Sequence, residues 1–365
     1  MAQNEQKKKI AFPRIAGYNC AIKYVVENGL GQEYIMQPEM TKRTLEIGSR
    51  YSPDMVCAPF KTSLGSMIEA LDAGADTLLM TFGLCRLGYY GELQEQIIRD
   101  LGYEFEFVNL SEYHTGKKKD YLHALKRLSP DYKPVKLTAS VWDALKMVEY
   151  VDEIEADYYK ICGFEVVKGS CKNVYRKFML GMETAHSRSD IDAAYRQAKQ
   201  ELAQIELDKP KNPIRVGIIG EYFTVMDAFS NLELEQKLAD MRVEVHRWMN
   251  LTNRNIRYSG EKNLNARIRD LCKYEMGPTS TANIWCAREY AEKGFDGIIH
   301  VKSAGCTPEI DVMPVLQNIG AQYKIPILYL TYDSQTSDTG LMTRLEAFYD
   351  MLEMNVAVQR RLVMD

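Results

Sequence analysis

Three cysteines occupy positions where chemistry could be done. Cys57 ends the apolar run Asp54-Met-Val-Cys57 and is followed by Ala-Pro-Phe-Lys-Thr-Ser-Leu-Gly65, which opens a helical pattern. Cys85 follows the apolar residues 78–82 and precedes Arg86-Leu-Gly-Tyr-Tyr-Gly-Glu92, and Cys306 follows residues 298–301 within Ser303-Ala-Gly-Cys-Thr-Pro-Glu309. Each reads as a strand-to-helix turn. In a doubly wound sheet such turns line the carboxyl edge, where ligands bind. The neighbouring helix N-termini favour the thiolate that a metal requires. Gly83, Gly88 and Gly305 let the backbone approach a bulky inorganic group, so the pattern suits a metallocluster. Zinc is a poor match because no CxxC or HxxxH pair is present. Iron–sulfur clusters tolerate dispersed ligands, and a set of three thiolates leaves one iron open for chemistry. For any one of these cysteines taken alone, plain apolar burial is the competing reading.

The elements that must position them alternate. Strands are expected over residues 9–13, 34–37, 55–57, 77–82 and 104–110. Helices are expected over 21–27, 41–51, 64–73 and 92–101, the last two closed by Gly74 and Gly102. Such alternation predicts βαβ units and a parallel sheet. From 117 to 207 charged helical patterns take over, clearest at 140–155 and 191–207, with Lys117-Lys118-Lys119 in a loop. Asp208-Lys-Pro-Lys-Asn-Pro213 breaks the pattern. A second α/β unit follows, with strands over 215–220, 243–247, 297–301 and 327–330 and helices over 232–241, 266–274, 282–293, 310–323 and 340–355. The expected architecture is α/β: two flavodoxin/Rossmann-like lobes with parallel sheets, residues 1–116 and 213–365, joined by a helical connector over 117–212, with a cluster in the inter-lobe cleft.

With 46% hydrophobic and 26% charged residues, the 365-residue chain has the composition of an ordinary globular protein. Its formal net charge of −4 leaves no basic excess for nucleic acid. No stretch of 18 apolar residues exists and the start, Met-Ala-Gln-Asn-Glu-Gln-Lys, lacks an apolar signal core, so a cytoplasmic location and no membrane contact are expected. Eight cysteines in such a chain point away from a disulfide framework. Cys20, Cys162, Cys171, Cys272 and Cys286 read as packing residues, although Cys162 and Cys171 are loop-like and could be extra ligands. Lys61, Arg86 and Lys302 stand close to the three candidate ligands, where positive charge would stabilise an anionic cluster or bind an anionic substrate. Glu221, at a strand end, could hydrogen-bond a ligand or simply cap a helix. His300 could act in acid–base chemistry or be a satisfied core histidine. Tyr89 and Tyr90 could shield the site or face a partner.

The stretches Tyr51-Ser-Pro-Asp-Met-Val-Cys-Ala-Pro-Phe-Lys61, Gly83-Leu-Cys-Arg-Leu-Gly-Tyr-Tyr-Gly-Glu-Leu-Gln-Glu95 and Gly305-Cys-Thr-Pro-Glu309, with Asp333-Ser-Gln-Thr336 and Thr343-Arg-Leu-Glu346, resemble the 2-hydroxyacyl-CoA dehydratase superfamily. Within it the resemblance is to the acyl-CoA dehydratase activase-related (CoA protein activase) branch, related to double-cubane cluster proteins. The resemblance implies two α/β lobes and an oxygen-sensitive 4Fe–4S cluster on three cysteines, which map onto Cys57, Cys85 and Cys306. Some relatives instead carry an 8Fe–9S double cubane. It also implies a separate ATP-hydrolysing iron–sulfur activator of the sugar kinase, Hsp70 and actin (ASKHA) fold that delivers one low-potential electron, and pairing with an identical or related subunit. This chain has neither a P-loop nor paired phosphate-binding glycine signatures, so it is expected to receive the electron and pass it to a small-molecule or acyl-CoA substrate. A non-catalytic cluster scaffold or electron relay, and a metal-free two-lobed binding protein, are the alternatives.

Overall fold

The computed structural model describes the chain except residues 1–6, 81–89, 111–117, 258–260, 275, 278 and 365. Two compact units are present. One comprises Met1–Val151 with Met179–Ala194, the other Asp152–Phe178 with Tyr195–Asp365.

The first unit begins with β1 (Lys9–Ala11), α1 (Asn19–Tyr24), which widens into a π-helical turn over Val25–Leu30, and β2 (Glu33–Tyr34). Then come α2 (Lys42–Tyr51), α3 (Ala58–Asp72), β3 (Thr77–Met80), α4 (Tyr90–Asp100) and β4 (Glu106–Asn109). The four strands form one parallel sheet in the order β2-β1-β3-β4, with Ile10 central, beside Tyr34 and Thr77. Phe60, Leu64 and Met67 on α3 pack with Leu78, Ile98 and Phe107 to form its core. Full burial of each such side chain contributes about 1.5–3 kcal/mol.

No strand forms at 55–57. Six residues link α2 to α3, and Met55 in the middle of them is 91% exposed, so the apolar run is a surface turn. Helix α3 therefore starts at Ala58, six residues earlier than its apolar periodicity suggests, with Cys57 as N-cap and Pro59 in the first turn, where the missing N–H is harmless. Thr41 opens α2 through a reciprocal capping box with Thr44. The two helices cross where each presents a glycine. A Cβ on Gly48 would lie 1.7 Å from the Lys61 carbonyl oxygen, and one on Gly65 would lie 2.0 Å from that of Thr44.

Residues 118–203 are helical: α5 (Lys118–Leu128), α6 (Pro134–Ile161), α7 (Ser170–Glu183) and α8 (Arg188–Ala203). The division into units runs through α6, α7 and α8. Lys118 and Lys119 thus begin a helix rather than lie in a loop, and Cys171 sits fully buried on α7 rather than in a loop.

The second unit continues with β5 (Arg215–Gly220), α9 (Tyr222–Met226), α10 (Leu234–Asp240), β6 (Glu244–Arg247), α11 (Glu261–Arg267), α12 (Ser280–Glu292), β7 (Gly297–Ser303), α13 (Thr307–Tyr323), β8 (Ile327–Tyr332) and α14 (Asp338–Met364). Its parallel sheet runs β6-β5-β7-β8, the same topology as the first. The short helix α11 lies a turn before the expected 266–274, anchored by buried Leu264 and Ile268, after which the chain turns. Val216, Ile218, Ile299 and Val301 of the central strands pack with Leu316, Leu345 and Phe348. Gly217 is required here, because a Cβ would stand 2.3 Å from the Tyr290 ring.

Candidate functional site

In the first unit Cys57 is half-buried at the N-cap of α3, in extended conformation (φ −68°, ψ 159°), and its carbonyl accepts hydrogen bonds from the Phe60 and Lys61 N–H groups. The Sγ atom is 2.8 Å from the hydroxyl of Tyr90, the first residue of α4. The Tyr90 ring meets Phe60 edge-on at 5.0 Å, and Gln94 on the next turn donates to the Phe60 carbonyl. The starts of α3 and α4 are thereby held side by side at the carboxyl edge of the sheet. Lys61 follows one turn into α3, half-buried. Cys85, Arg86 and Tyr89 lie outside the described residues, in the stretch that leads from β3 to α4.

The second unit places Cys306 likewise: half-buried, extended, the N-cap of α13, with Pro308 in the first turn. The shared Cys-x-Pro at Cys57 and Cys306 is a signal that strand-and-helix periodicity does not reveal. Gly305 before it takes φ +74°, a left-handed turn that suits glycine. Behind this turn lies a buried polar assembly. The Glu309 carboxylate accepts hydrogen bonds from Asn283 (2.8 Å) and Thr279 and pairs with His300 Nε2 (2.7 Å). Asn283 also clips the last residue of β5, accepting from the Gly220 N–H and donating to its carbonyl. One hydrogen-bonded unit therefore fixes the end of β5, the middle of β7 and the start of α13. His300 is wholly buried in it, a core histidine satisfied at Nε2, while its Nδ1 finds no hydrogen-bond partner among the described residues. Glu221 caps α9 through the Phe223 and Thr224 N–H groups and the Thr224 hydroxyl, and burial raises its carboxyl above the ordinary range. Lys302 lies on β7, buried.

The remaining described cysteines differ in kind. Burial pushes the thiols of Cys20 and Cys162 up to about 12, and those of Cys171 and Cys286 further. Such groups stay protonated and apolar, unsuited to metal ligation. Cys272 donates to the Tyr274 carbonyl. Among the described residues no three His, Cys, Asp or Glu side chains gather as a metal site. Cys57 and Cys306 nevertheless have the character of soft ligands: partial exposure and a helix N-terminus behind each. The donor chemistry fits an iron–sulfur group.

Sequence reading missed a cavity of about 210 Å3 in the second unit, beside the end of β6. Its walls carry Tyr159, Trp248 and Tyr290 and the buried triad in which Arg247 pairs with Glu155 and with Glu235 (3.3 Å). These residues come from α6, α10, β6 and the residue after it, and α12, and no short motif links them.

The family model described as 2-hydroxyglutaryl-CoA dehydratase, D-component, matches residues 140–352, more than half of the chain. The chain belongs to this family. It is accordingly a component of a 2-hydroxyacyl-CoA dehydratase system, built on the α/β architecture described above. The D-component match includes Cys306, Glu309, His300 and Asn283, whereas Cys57 and Cys85 precede it. No curated protein matches the chain. Among the described residues no helix is long and apolar enough to cross a membrane.

Proposed function

We propose that this D-component family member is the iron–sulfur component of an ATP-dependent low-potential dehydratase or reductase system. In this reading Cys57, Cys85 and Cys306 hold a 4Fe–4S cluster, an ASKHA-type activator ATPase supplies the electron, and the substrate binds at the iron that no cysteine ligates. The observation that carries it is the matched placement of Cys57 and Cys306, each half-buried as N-cap of a long helix at a sheet's carboxyl edge, while Cys20, Cys162, Cys171 and Cys286 are sealed in the core.

When bound, the cluster supplies a one-electron couple and an open Lewis-acidic iron. The protein's own residues do the rest. The N-termini of α3 and α13 bring positive dipole ends to the two sulfurs, which favours their thiolate form. Tyr90 is placed to donate a hydrogen bond to the Cys57 sulfur. Glu309, Asn283 and His300 hold the Cys306 turn rigid from below. Lys61 and Arg86 are proposed to balance the negative charge that the thiolates and sulfides carry. Pairing with an identical or related subunit and an acyl-CoA substrate belong to the same proposal.

The test is iron and acid-labile sulfide per chain on anaerobically purified protein, with an electron paramagnetic resonance spectrum after reduction. About four irons are expected in the wild type, with loss of the cluster signal in Cys57→Ala, Cys85→Ala and Cys306→Ala. About eight would indicate a double cubane. Absence of iron under strict anaerobiosis, or iron indifferent to these substitutions, would overturn the assignment.

A further inference from the structure

Lys302 poses a problem of charge. It lies near the carboxyl end of the central strand β7 and is only 8% exposed. Burying an ammonium group is costly unless an anion accompanies it. Among the described residues no carboxylate pairs with it. The described carboxylates that the topology brings to this edge are committed elsewhere: Glu221 to the cap of α9, Glu309 to Asn283, Thr279 and His300, and Asp333 to the Gln335 N–H and the Thr336 hydroxyl.

The direction of the side chain follows from the strand. Residues two apart on a strand share a face, and His300 reaches Glu309 in the first turn of α13. Lys302 projects from that same face one strand repeat nearer to the carboxyl edge, towards the start of α13. The register pairs Tyr329 of β8 with His300, so Tyr329 shares the face as well. Two further polar atoms on this face, His300 Nδ1 and the Tyr329 hydroxyl, are buried with no hydrogen-bond partner among the described residues. The N-terminus of a 17-residue helix, with its partial positive charge, thus follows a buried cation at one sheet edge, and the unsatisfied atoms lie deeper on the same face.

We propose that Lys302 and the N-terminus of α13 form an oxyanion-binding site that takes a phosphate or carboxylate group of a substrate. The site requires no metal, so it goes beyond the cluster assignment and is tested separately. Phosphate and carboxylate present the same oxygen acceptors to Lys302, and which one binds distinguishes a phosphate-bearing carrier from a carboxylate on the acyl chain.

The full-length chain, purified anaerobically, is titrated calorimetrically with inorganic phosphate and, separately, with glutarate, in a buffer otherwise free of oxyanions. Wild type is expected to bind at least one of them, and Lys302→Met to weaken that binding by about tenfold or more. Lys302→Arg should retain binding, as should Lys293→Met, which removes an exposed lysine paired with Glu289 on α12. Stronger binding of phosphate assigns the carrier, and stronger binding of glutarate the acyl chain. In the oxyanion-free buffer Lys302→Met should melt no lower than wild type, because it removes an uncompensated charge. Binding of neither anion by the wild type, binding unchanged in Lys302→Met, or a Lys302→Met protein that is destabilised or unfolded without oxyanion would each overturn the proposal. The last would show that the ammonium is satisfied within the protein.

Discussion

A contact of 2.8 Å between Tyr90 and Cys57 ties the start of one helix to the N-cap of another. A hydroxyl that donates to a sulfur ligand favours the more negative, reduced state of the group it holds. Tyr90→Phe keeps the edge contact with Phe60 and removes only the oxygen. On the proposed cluster assignment, redox titration of this variant should show iron retained and a midpoint potential more negative by on the order of 100 mV. An unchanged potential would mean that the hydroxyl does not act on the sulfur. Glu244 offers a second test at this scale. Its hydrogen bond with His246 (2.5 Å), and that with Lys209, hold its carboxyl down to about 2. The folded-state value lies below the unfolded one, so the stabilisation is complete above pH 4.5 and is lost as the pH falls towards 2. Glu244→Gln should therefore lower the melting temperature at pH 7 and have little effect near pH 2.

At the scale of elements, the crossing of α2 and α3 sets where Cys57 stands. Because a Cβ on Gly48 or Gly65 would strike backbone rather than a yielding side chain, Gly48→Ala or Gly65→Ala must push the helices apart. Thermal denaturation should show a loss of about 1–3 kcal/mol or more, and iron uptake should fall with it. The second unit uses a polar pin instead. Asn283→Ala leaves the Gly220 backbone and the Glu309 carboxylate each short of a buried hydrogen bond. That costs about 1–3 kcal/mol per abandoned group, and amide exchange at residues 219–221 and 306–310 should rise together. Asn283→Asp places a second carboxylate beside Glu309 and should be worse than alanine.

Over the whole molecule, two units repeat one topology, β2-β1-β3-β4 and β6-β5-β7-β8. In this correspondence the segment from β3 to α4, which contains Cys85, is the counterpart of the segment from β7 to α13, which contains Cys306. The position of Cys57, before α3, corresponds to Thr279, before α12, whose hydroxyl serves Glu309. The equivalent turns have thus diverged, with two thiols in the first unit and one in the second. Global stability should also bear the mark of Glu235. Burial pushes its carboxyl from the ordinary 4.5 up to about 7, with Arg247 opposing and Glu155 adding to the rise. The folded chain then holds a proton that the unfolded chain releases, so stability declines as the pH rises from about 4.5 to about 7. Glu235→Gln should flatten that limb in denaturant melts taken across this range, while wild type and variant converge below pH 4.5.

The amino-acid sequence by itself made legible the α/β class, the strands of both four-stranded sheets and the glycines and prolines that punctuate them, because apolar periodicity and backbone restriction are local properties, and it predicted one strand too many, at 55–57. It also marked Cys57 and Cys306 through the residues around them. The tertiary structure decided what depends on packing at long range. It made residues 55–57 a turn by leaving Met55 in solvent, buried Cys171 in a helix, and turned Glu221 to its own cap. It also assembled Glu309, His300, Asn283 and Thr279 from α12, β7 and α13, and left Lys302 buried with no carboxylate paired to it among the described residues. Hydrogen-bond partnership and burial of charge are set by which elements meet, and no window of sequence contains that information.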